Sequence, residues 1–281
     1  MDILKQYNIK ANKNLGQNFL VDDNTIENII EAAKISKNDF IIEIGPGLGT
    51  LTKPLLENSA KVISVEIDNK MIKILEDRFK LYNNFELINE DILNVDLNKL
   101  IKERKNNDTD KVKIVANLPY YITTPIIMKL LENKLEIESI TVMVQKEVAD
   151  RLVEKPGGKN SGAITYAINY YTIPKKIMDV SRKSFIPSPA VDSSVINLQV
   201  LKKPSVKVSN ENLLFKIIKL AFMQKRKTLL NALTNGGLSN KNTIEQMLLD
   251  LKLDLKIRGE KLSLEDFARI TNYINEKNCA N

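Results

Sequence analysis

From about Asp39 onward, short apolar runs alternate with amphipathic stretches. Phe40–Ile44, Val62–Val65, Phe85–Ile88, Val112–Ala116 and Ile140–Val144 are short and almost continuously apolar, as strands buried on both faces are. Between them, Lys70–Lys80, Thr124–Glu132 and Lys146–Glu154 show helical spacing. Strand and helix in alternation predict a parallel sheet with helices on both faces. Two later stretches, Ile173–Val180 and Ser194–Leu201, are separated by the proline-rich Phe185-Ile186-Pro187-Ser188-Pro189. Strands so close in sequence pair more easily antiparallel, which places them at the end of the same sheet.

The pattern changes after Lys202-Lys203-Pro204-Ser205, which reads as a linker. Beyond it every segment has helical spacing. Leu213–Leu233 sets Leu214, Ile217, Ile218, Ala221 and Phe222 on one face. Ser263-Leu264-Glu265-Asp266 resembles a capping box opening a last helix, Leu264–Ile274. The expectation is an α/β domain over residues 1–204 and a small all-α domain over 205–281. There is no internal repeat, and Asn106–Asp110 reads as an exposed loop.

Composition narrows the chemistry. With 43% apolar residues the chain can build a packed core. No apolar run approaches the ~20 residues that span a bilayer. The stretch from Met1 to Asn14 is polar and basic, without the apolar core of a secretory signal. One cysteine, Cys279, excludes an internal disulfide. A cytoplasmic, reduced protein without membrane association is expected. The chain has no histidine, which excludes His-based triads and His general bases, and with one cysteine no metal site is expected. The net charge of +7 is uneven: residues 205–281 hold 13 Lys+Arg against 8 Asp+Glu, the preceding 204 hold 29 against 27. A basic C-terminal third fits a polyanionic partner, and equally a solvated lysine-rich surface.

Four strand ends carry candidate chemistry. Glu43-Ile44-Gly45-Pro46-Gly47-Leu48-Gly49 follows the first strand, and its glycines let the backbone turn sharply and approach a ligand. Glu66 ends the next strand, 21 residues after Gly45, where a carboxylate can accept both hydrogen bonds of a ribose diol. These two features also fit a dinucleotide-binding protein, although the spacing is G-x-G-x-G rather than G-x-G-x-x-G. Asp91, after the third strand, suits an adenine amino group, with Ile67 and Ile92 as apolar walls. The fourth strand ends in Asn117-Leu118-Pro119-Tyr120. An adenine amine is a poor nucleophile because its lone pair is delocalised into the ring. An amide oxygen and a backbone carbonyl can accept its two N–H bonds and favour a pyramidal nitrogen, proline fixes that backbone, and tyrosine stacks on the base.

With these motifs in place, the sequence resembles the ribosomal RNA adenine dimethyltransferases, specifically the small-subunit group, over nearly its whole length. Leu15-Gly16-Gln17-Asn18-Phe19-Leu20 is similar to the family's N-terminal segment, which closes over the cofactor. Phe185 to Ser193 is similar to its F-x-P-x-P-x-V-x-S segment, whose aromatic ring lies near the target base. Gln224-Lys225-Arg226-Lys227-Thr228-Leu229 and Arg258-Gly259-Glu260-Lys261-Leu262-Ser263 resemble C-terminal signatures. The resemblance implies a Rossmann-like class I methyltransferase fold with a mostly parallel seven-stranded sheet, and S-adenosylmethionine as cofactor. It implies cofactor contacts from Asn18, Leu20, Gly45, Glu66, Asp91 and Asn117; Gly47 of the glycine turn and the apolar walls Ile67 and Ile92 complete the expected cofactor site. Asn117, Leu118, Pro119, Tyr120 and Phe185 would present the base. The implied substrate is two adjacent adenosines in a hairpin loop near the 3′ end of small-subunit rRNA, each dimethylated by a monomeric enzyme with a role in ribosome biogenesis. The alternatives are a large-subunit rRNA methylase of the antibiotic-resistance type, an assembly factor acting mainly by binding, and an NAD-dependent dehydrogenase.

Overall fold

The computed structural model describes the chain apart from residues 1–5, 8, 10, 13–14, 106–110, 225 and 280–281, and the side chains of 278 and 279. The loop expected over Asn106–Asp110, most of Met1–Asn14, Lys225 and the Cys279 side chain therefore lie outside the described residues. Internal contacts divide the chain into two units, Met1–Ala149 with Pro174–Val200, and Asp150–Ile173 with Leu201–Asn281.

The first unit is organised by one sheet. Its elements in chain order are β1 (Phe19–Leu20), α1 (Asp23–Ala32), β2 (Phe40–Ile44), α2 (Thr52–Asn58), β3 (Lys61–Glu66), α3 (Asn69–Phe79), β4 (Phe85–Asn89), α4 (Leu97–Arg104), β5 (Val112–Asn117), α5 (Thr123–Glu132), β6 (Ser139–Gln145), α6 (Lys146–Val153, which runs into the second unit), β7 (Thr172–Val180), β8 (Phe185–Ile186) and β9 (Ser193–Val200). The seven-stranded order is β4-β3-β2-β5-β6-β9-β7. Strands β4 through β6 are parallel, and β9 runs antiparallel to β6, from Ser139↔Gln199 to Gln145↔Ser193. Every residue of β2 is buried, as a central parallel strand covered on both faces requires.

The chain leaves β2 towards β3 and β4 on one side and returns to β5 on the other. Connections leaving the carboxyl ends of β2 and β5 thus diverge, opening the crevice where open α/β sheets bind ligands. The opposite end of this strand pair is locked by a buried ion pair. Lys113 Nζ lies 2.7 Å from Asp39 Oδ2 and donates to the Lys34 carbonyl at 2.6 Å, and Asp39 also accepts the Ser36 N–H at 2.7 Å. Removing one member of such a pair strands the other charge in the core, at about 3–5 kcal/mol.

The second unit contains α7 (Ala163–Tyr171), α8 (Glu211–Met223), α9 (Leu229–Asn235), α10 (Lys241–Asp250) and α11 (Leu264–Cys279). Tyr166 on α7 is fully buried; its ring centroid is 5.0 Å from Phe267 and 5.3 Å from Phe222, and its hydroxyl donates to the Leu262 carbonyl at 2.6 Å. These contacts tie residues 150–173 to the C-terminal helices, whereas the sequence pattern alone drew one boundary near residue 204. The capping box is present: Ser263 Oγ accepts the Asp266 N–H at 3.0 Å and Asp266 accepts the Ser263 N–H at 3.1 Å. The single helical stretch expected over Leu213–Leu233 is instead two helices, because the chain leaves helical geometry at Gln224 and restarts at Thr228, whose hydroxyl caps α9. No described helix is long and apolar enough to cross a membrane.

Candidate active site

A cleft with about 1190 Å³ of empty volume, part of it open to solvent, lies in the first unit at the carboxyl ends of β2 to β5. Its floor is the turn after β2. Gly45 (φ +66°) and Gly49 (φ +76°) both adopt the left-handed backbone that glycine favours. Their purposes differ. A Cβ on Gly45 would meet nothing within 4 Å and would fill only space beside the cleft; one on Gly49 would lie 2.5 Å from the Phe79 ring. Gly45 therefore keeps the cleft clear, and Gly49 lets α3 pack.

Glu66, at the end of β3, is only 6% exposed. Its carboxylate accepts the Gly47 N–H at 3.1 Å and the Asp68 N–H at 2.9 Å. Burial raises its pKa, and backbone hydrogen bonds from Asp68, Gly47 and Ile67 offset part of that rise. A carboxylate has about four acceptor positions, so these bonds leave capacity to accept from a ligand. Asp91 follows β4 and caps a turn by accepting the Leu93 N–H on Oδ1 at 2.9 Å. It lines the cleft with the half-exposed Ile67 and the buried Ile92.

After β5, Asn117 Nδ2 donates to the Asn18 carbonyl at 3.2 Å. That bond fixes which way the amide faces: its nitrogen is committed to the protein, and its oxygen remains to accept from a ligand. The Leu118 N–H donates to Met143 O at 3.1 Å, and Pro119 sits at φ −59°, ψ 132°. The Pro119 carbonyl accepts from Thr123 Oγ1 at 3.1 Å. Tyr120 is half-buried in the cleft wall, and its phenol pKa is raised by burial, with the Ser193 hydrogen bond opposing.

The segment Leu15–Leu20 closes one side. It is held by pairing of β1 with β8, Phe19↔Ile186 and Leu20↔Phe185, and by Gln17 Nε2 donating to Asp68 Oδ2 at 2.7 Å.

Asn18, Leu20, Gly45, Gly47, Glu66, Ile67, Asp91, Ile92, Asn117, Leu118, Pro119 and Tyr120 all line this one cleft. Phe185 does not. It is 3% exposed, in the core cluster with Phe19 and Leu20, because its pairing in the two-stranded ribbon buries its ring. The exposed aromatic side chain beside Tyr120 is Tyr121, which the sequence reading passed over.

A second cleft residue went unassigned. Glu43 is 1% exposed and accepts Thr52 Oγ1 at 2.7 Å and Ser64 Oγ at 2.6 Å on Oε2, while Oε1 has no partner among the described residues. Its pKa is pushed up to about 7 by burial, opposed by those two hydroxyls and reinforced by Glu66. A lone acid inside the apolar run Phe40-Ile41-Ile42-Glu43-Ile44 was the available signal. No cluster of metal-ligating side chains is found among the described residues.

Comparison with known proteins gives a consistent picture. The family model described as ribosomal RNA adenine dimethylase matches residues 8–276. The chain is 47% identical over 276 residues to a ribosomal RNA small subunit methyltransferase A of Clostridioides difficile, covering 98% of this chain and 95% of that one. It is 48% identical over 280 residues to its namesake in Lachnoclostridium phytofermentans, covering 99% and 96%. Among solved structures, a dimethyladenosine transferase from Plasmodium falciparum superposes with a TM-score of 0.77 at 27% identity, covering 92% of this chain and 98% of that one. The 23S rRNA methyltransferase ErmE gives 0.69 at 24% identity, covering 92% and 100%, a likeness of fold.

Proposed function

This chain belongs to the ribosomal RNA adenine dimethylase family, and from that premise we propose that it dimethylates the amino groups of two adjacent adenosines near the 3′ end of small-subunit rRNA. It is an S-adenosylmethionine-dependent methyltransferase with the class I fold. The single observation carrying the proposed chemistry is the Asn117 amide, turned by Asn18 so that its oxygen is the free end in the cleft.

The cleft's residues fit the cofactor. Glu66, with acceptor positions left over and little water around it, would take the two hydroxyl donors of the ribose. Gly45 leaves room that a Cβ would occupy. Asp91 would accept from the adenine amino group, between Ile67 and Ile92. Asn18 and Leu20 would close one side of the cleft. When bound, the cofactor supplies an electrophilic methyl group on its sulfonium, so the protein's task is alignment more than activation.

The target adenine enters extruded from its stack. Asn117 Oδ1 and the Leu118 carbonyl accept its two amino hydrogens, which holds the nitrogen pyramidal with its lone pair free. Tyr120 lies against the base. Once the methylated nitrogen has released one proton to water, it keeps a single N–H, so the second transfer needs only one of the two acceptors. This is how one site performs both steps.

Recognition of the RNA falls to the second unit. By sequence it holds 18 Lys+Arg against 10 Asp+Glu, while the first holds 24 against 25, so the whole net positive charge belongs to the helical unit. Arg226 and Lys227 are exposed there. Phosphate contacts of this kind position a nucleic acid without reading its sequence.

The deciding experiment is methyl transfer from labelled cofactor onto unmethylated small and large ribosomal subunits in parallel. Label in small-subunit adenosines alone is the expected result. Label in the large subunit, or in neither, would overturn the assignment.

A further inference from the structure

Asn117 owes its orientation to a backbone carbonyl, not to another side chain, so whatever holds that carbonyl also sets the reacting geometry. The carbonyl belongs to Asn18, in the segment before β1. On its C-terminal side it is anchored by the β1–β8 pairing. On its N-terminal side stands Gln17. The Gln17 amide donates to Asp68 Oδ2 at 2.7 Å and accepts the Asn12 N–H at 2.8 Å. Asp68 in turn accepts the Lys70 N–H on Oδ1 at 2.9 Å, capping α3, and donates its own N–H to Glu66 Oε1 at 2.9 Å. A continuous path therefore runs from Glu66 through Asp68, Gln17 and Asn18 to Asn117.

We propose that Gln17 is a positioning residue for methyl transfer: by tethering its segment to Asp68, it holds the Asn18 carbonyl where it orients the Asn117 amide. The proposal rests on the reading of Asn117 as the acceptor of the target amine. Gln17 touches neither reacting atom in this account. Its bond to a carboxylate is charge-assisted, which makes it a stiffer tether than a neutral pair. At the ribose end Gln17 touches Asp68 and not Glu66, so the tether acts on the amine end of the cleft.

The test uses the whole protein, unmethylated small subunits and labelled S-adenosylmethionine, with kcat and cofactor Kd measured separately. Gln17→Ala is expected to lower kcat about tenfold, in keeping with the sensitivity of transfer to small misplacements. Cofactor Kd should stay within about threefold of the parent, since a change in kcat alone marks an interaction that matters in the transition state. Gln17→Glu sets a carboxylate against Asp68 and should do similar damage. Gln17→Glu with Asp68→Asn reverses the bond's polarity: the new amide nitrogen donates where Oδ2 accepted, while Oδ1 still caps α3. This double variant should recover most of kcat. Parental kcat in Gln17→Ala, a defect confined to cofactor Kd, or failure of the double variant to improve on Gln17→Glu would each overturn the proposal. A parent that labels neither subunit would overturn the functional reading and this inference together, whereas an active parent with an equally active Gln17→Ala would overturn this inference alone.

Discussion

The hydroxyls of Tyr120 and Ser193 lie 2.6 Å apart, joining the turn after β5 to the first residue of β9. Ser193 is fully buried and paired with Gln145 across β6, so it is an immobile anchor. A ring that stacks on a base must hold its plane, and a hydrogen bond at its far end restrains that plane. Ser193→Ala is expected to lower kcat/KM about fivefold, the equivalent of roughly 1 kcal/mol for one neutral hydrogen bond. Tyr120→Phe removes the same bond from the other side. Because the two residues act as a pair, the double variant should be little worse than either single one. Methyl-transfer rates for the three variants decide the matter; additive losses would mean that the two hydroxyls serve separate ends.

Asn117→Ala removes the acceptor of the target amine. The expected result is a fall in kcat of at least about a hundredfold at saturating cofactor. The fold should survive, because the side chain is only half-buried and, among the described residues, its one hydrogen bond is to Asn18. Substantial turnover in a folded variant would show that another group presents the amine.

Glu66→Ala should weaken S-adenosylmethionine binding by about 1–3 kcal/mol, through loss of a charged acceptor for the ribose. The substitution also leaves the Gly47 and Asp68 N–H groups without their carboxylate, so melting should be measured alongside. Calorimetry on the folded variant is the check. Unchanged affinity would take Glu66 out of the cofactor site.

Much of this architecture was legible in the chain. The central strands β2, β3 and β5 announce themselves because they are almost wholly buried and each carries a short apolar run. The strand-end residues are legible for a related reason: a polar residue that ends such a run must sit where the sheet meets the cleft. What escaped was set by tertiary context. Helix α7 (Ala-Ile-Thr-Tyr-Ala-Ile-Asn-Tyr-Tyr) has six of its nine residues buried, around most of its circumference, so no polar face marks its period. The β1–β8 ribbon is two residues long in each strand, too short for alternation to show. That ribbon buries Phe185, whose place near the base was implied by the family resemblance. Glu43 reads as an odd acid in a strand, and only its neighbours Thr52 and Ser64 explain how it is tolerated.

Glu43 makes the stability of the fold depend on pH. Its side chain is enclosed, one oxygen lacks a partner among the described residues, and burial lifts its pKa to about 7 from an ordinary 4.5. An acid whose pKa is higher folded than unfolded is protonated in the native state while the unfolded chain has already released its proton. Between those two values the native state therefore binds more protons, and stability falls as pH rises. The stabilisation is complete below about 4.5 and gone once pH passes about 7. With 1.36 kcal/mol per pKa unit, the swing is about 3 kcal/mol. Glu66, also raised by burial, adds a slope of the same sign. Glu43→Gln removes the titration and keeps an amide oxygen to accept from the two hydroxyls. Urea midpoints of the cofactor-free protein at pH 5 and pH 8 test this. The parent should lose stability across that interval, and the Gln variant should lose markedly less, ending the more stable of the two at pH 8. Parallel losses in both proteins would mean that Glu43 is already ionised in the folded state, balanced by something other than the two hydroxyls it touches.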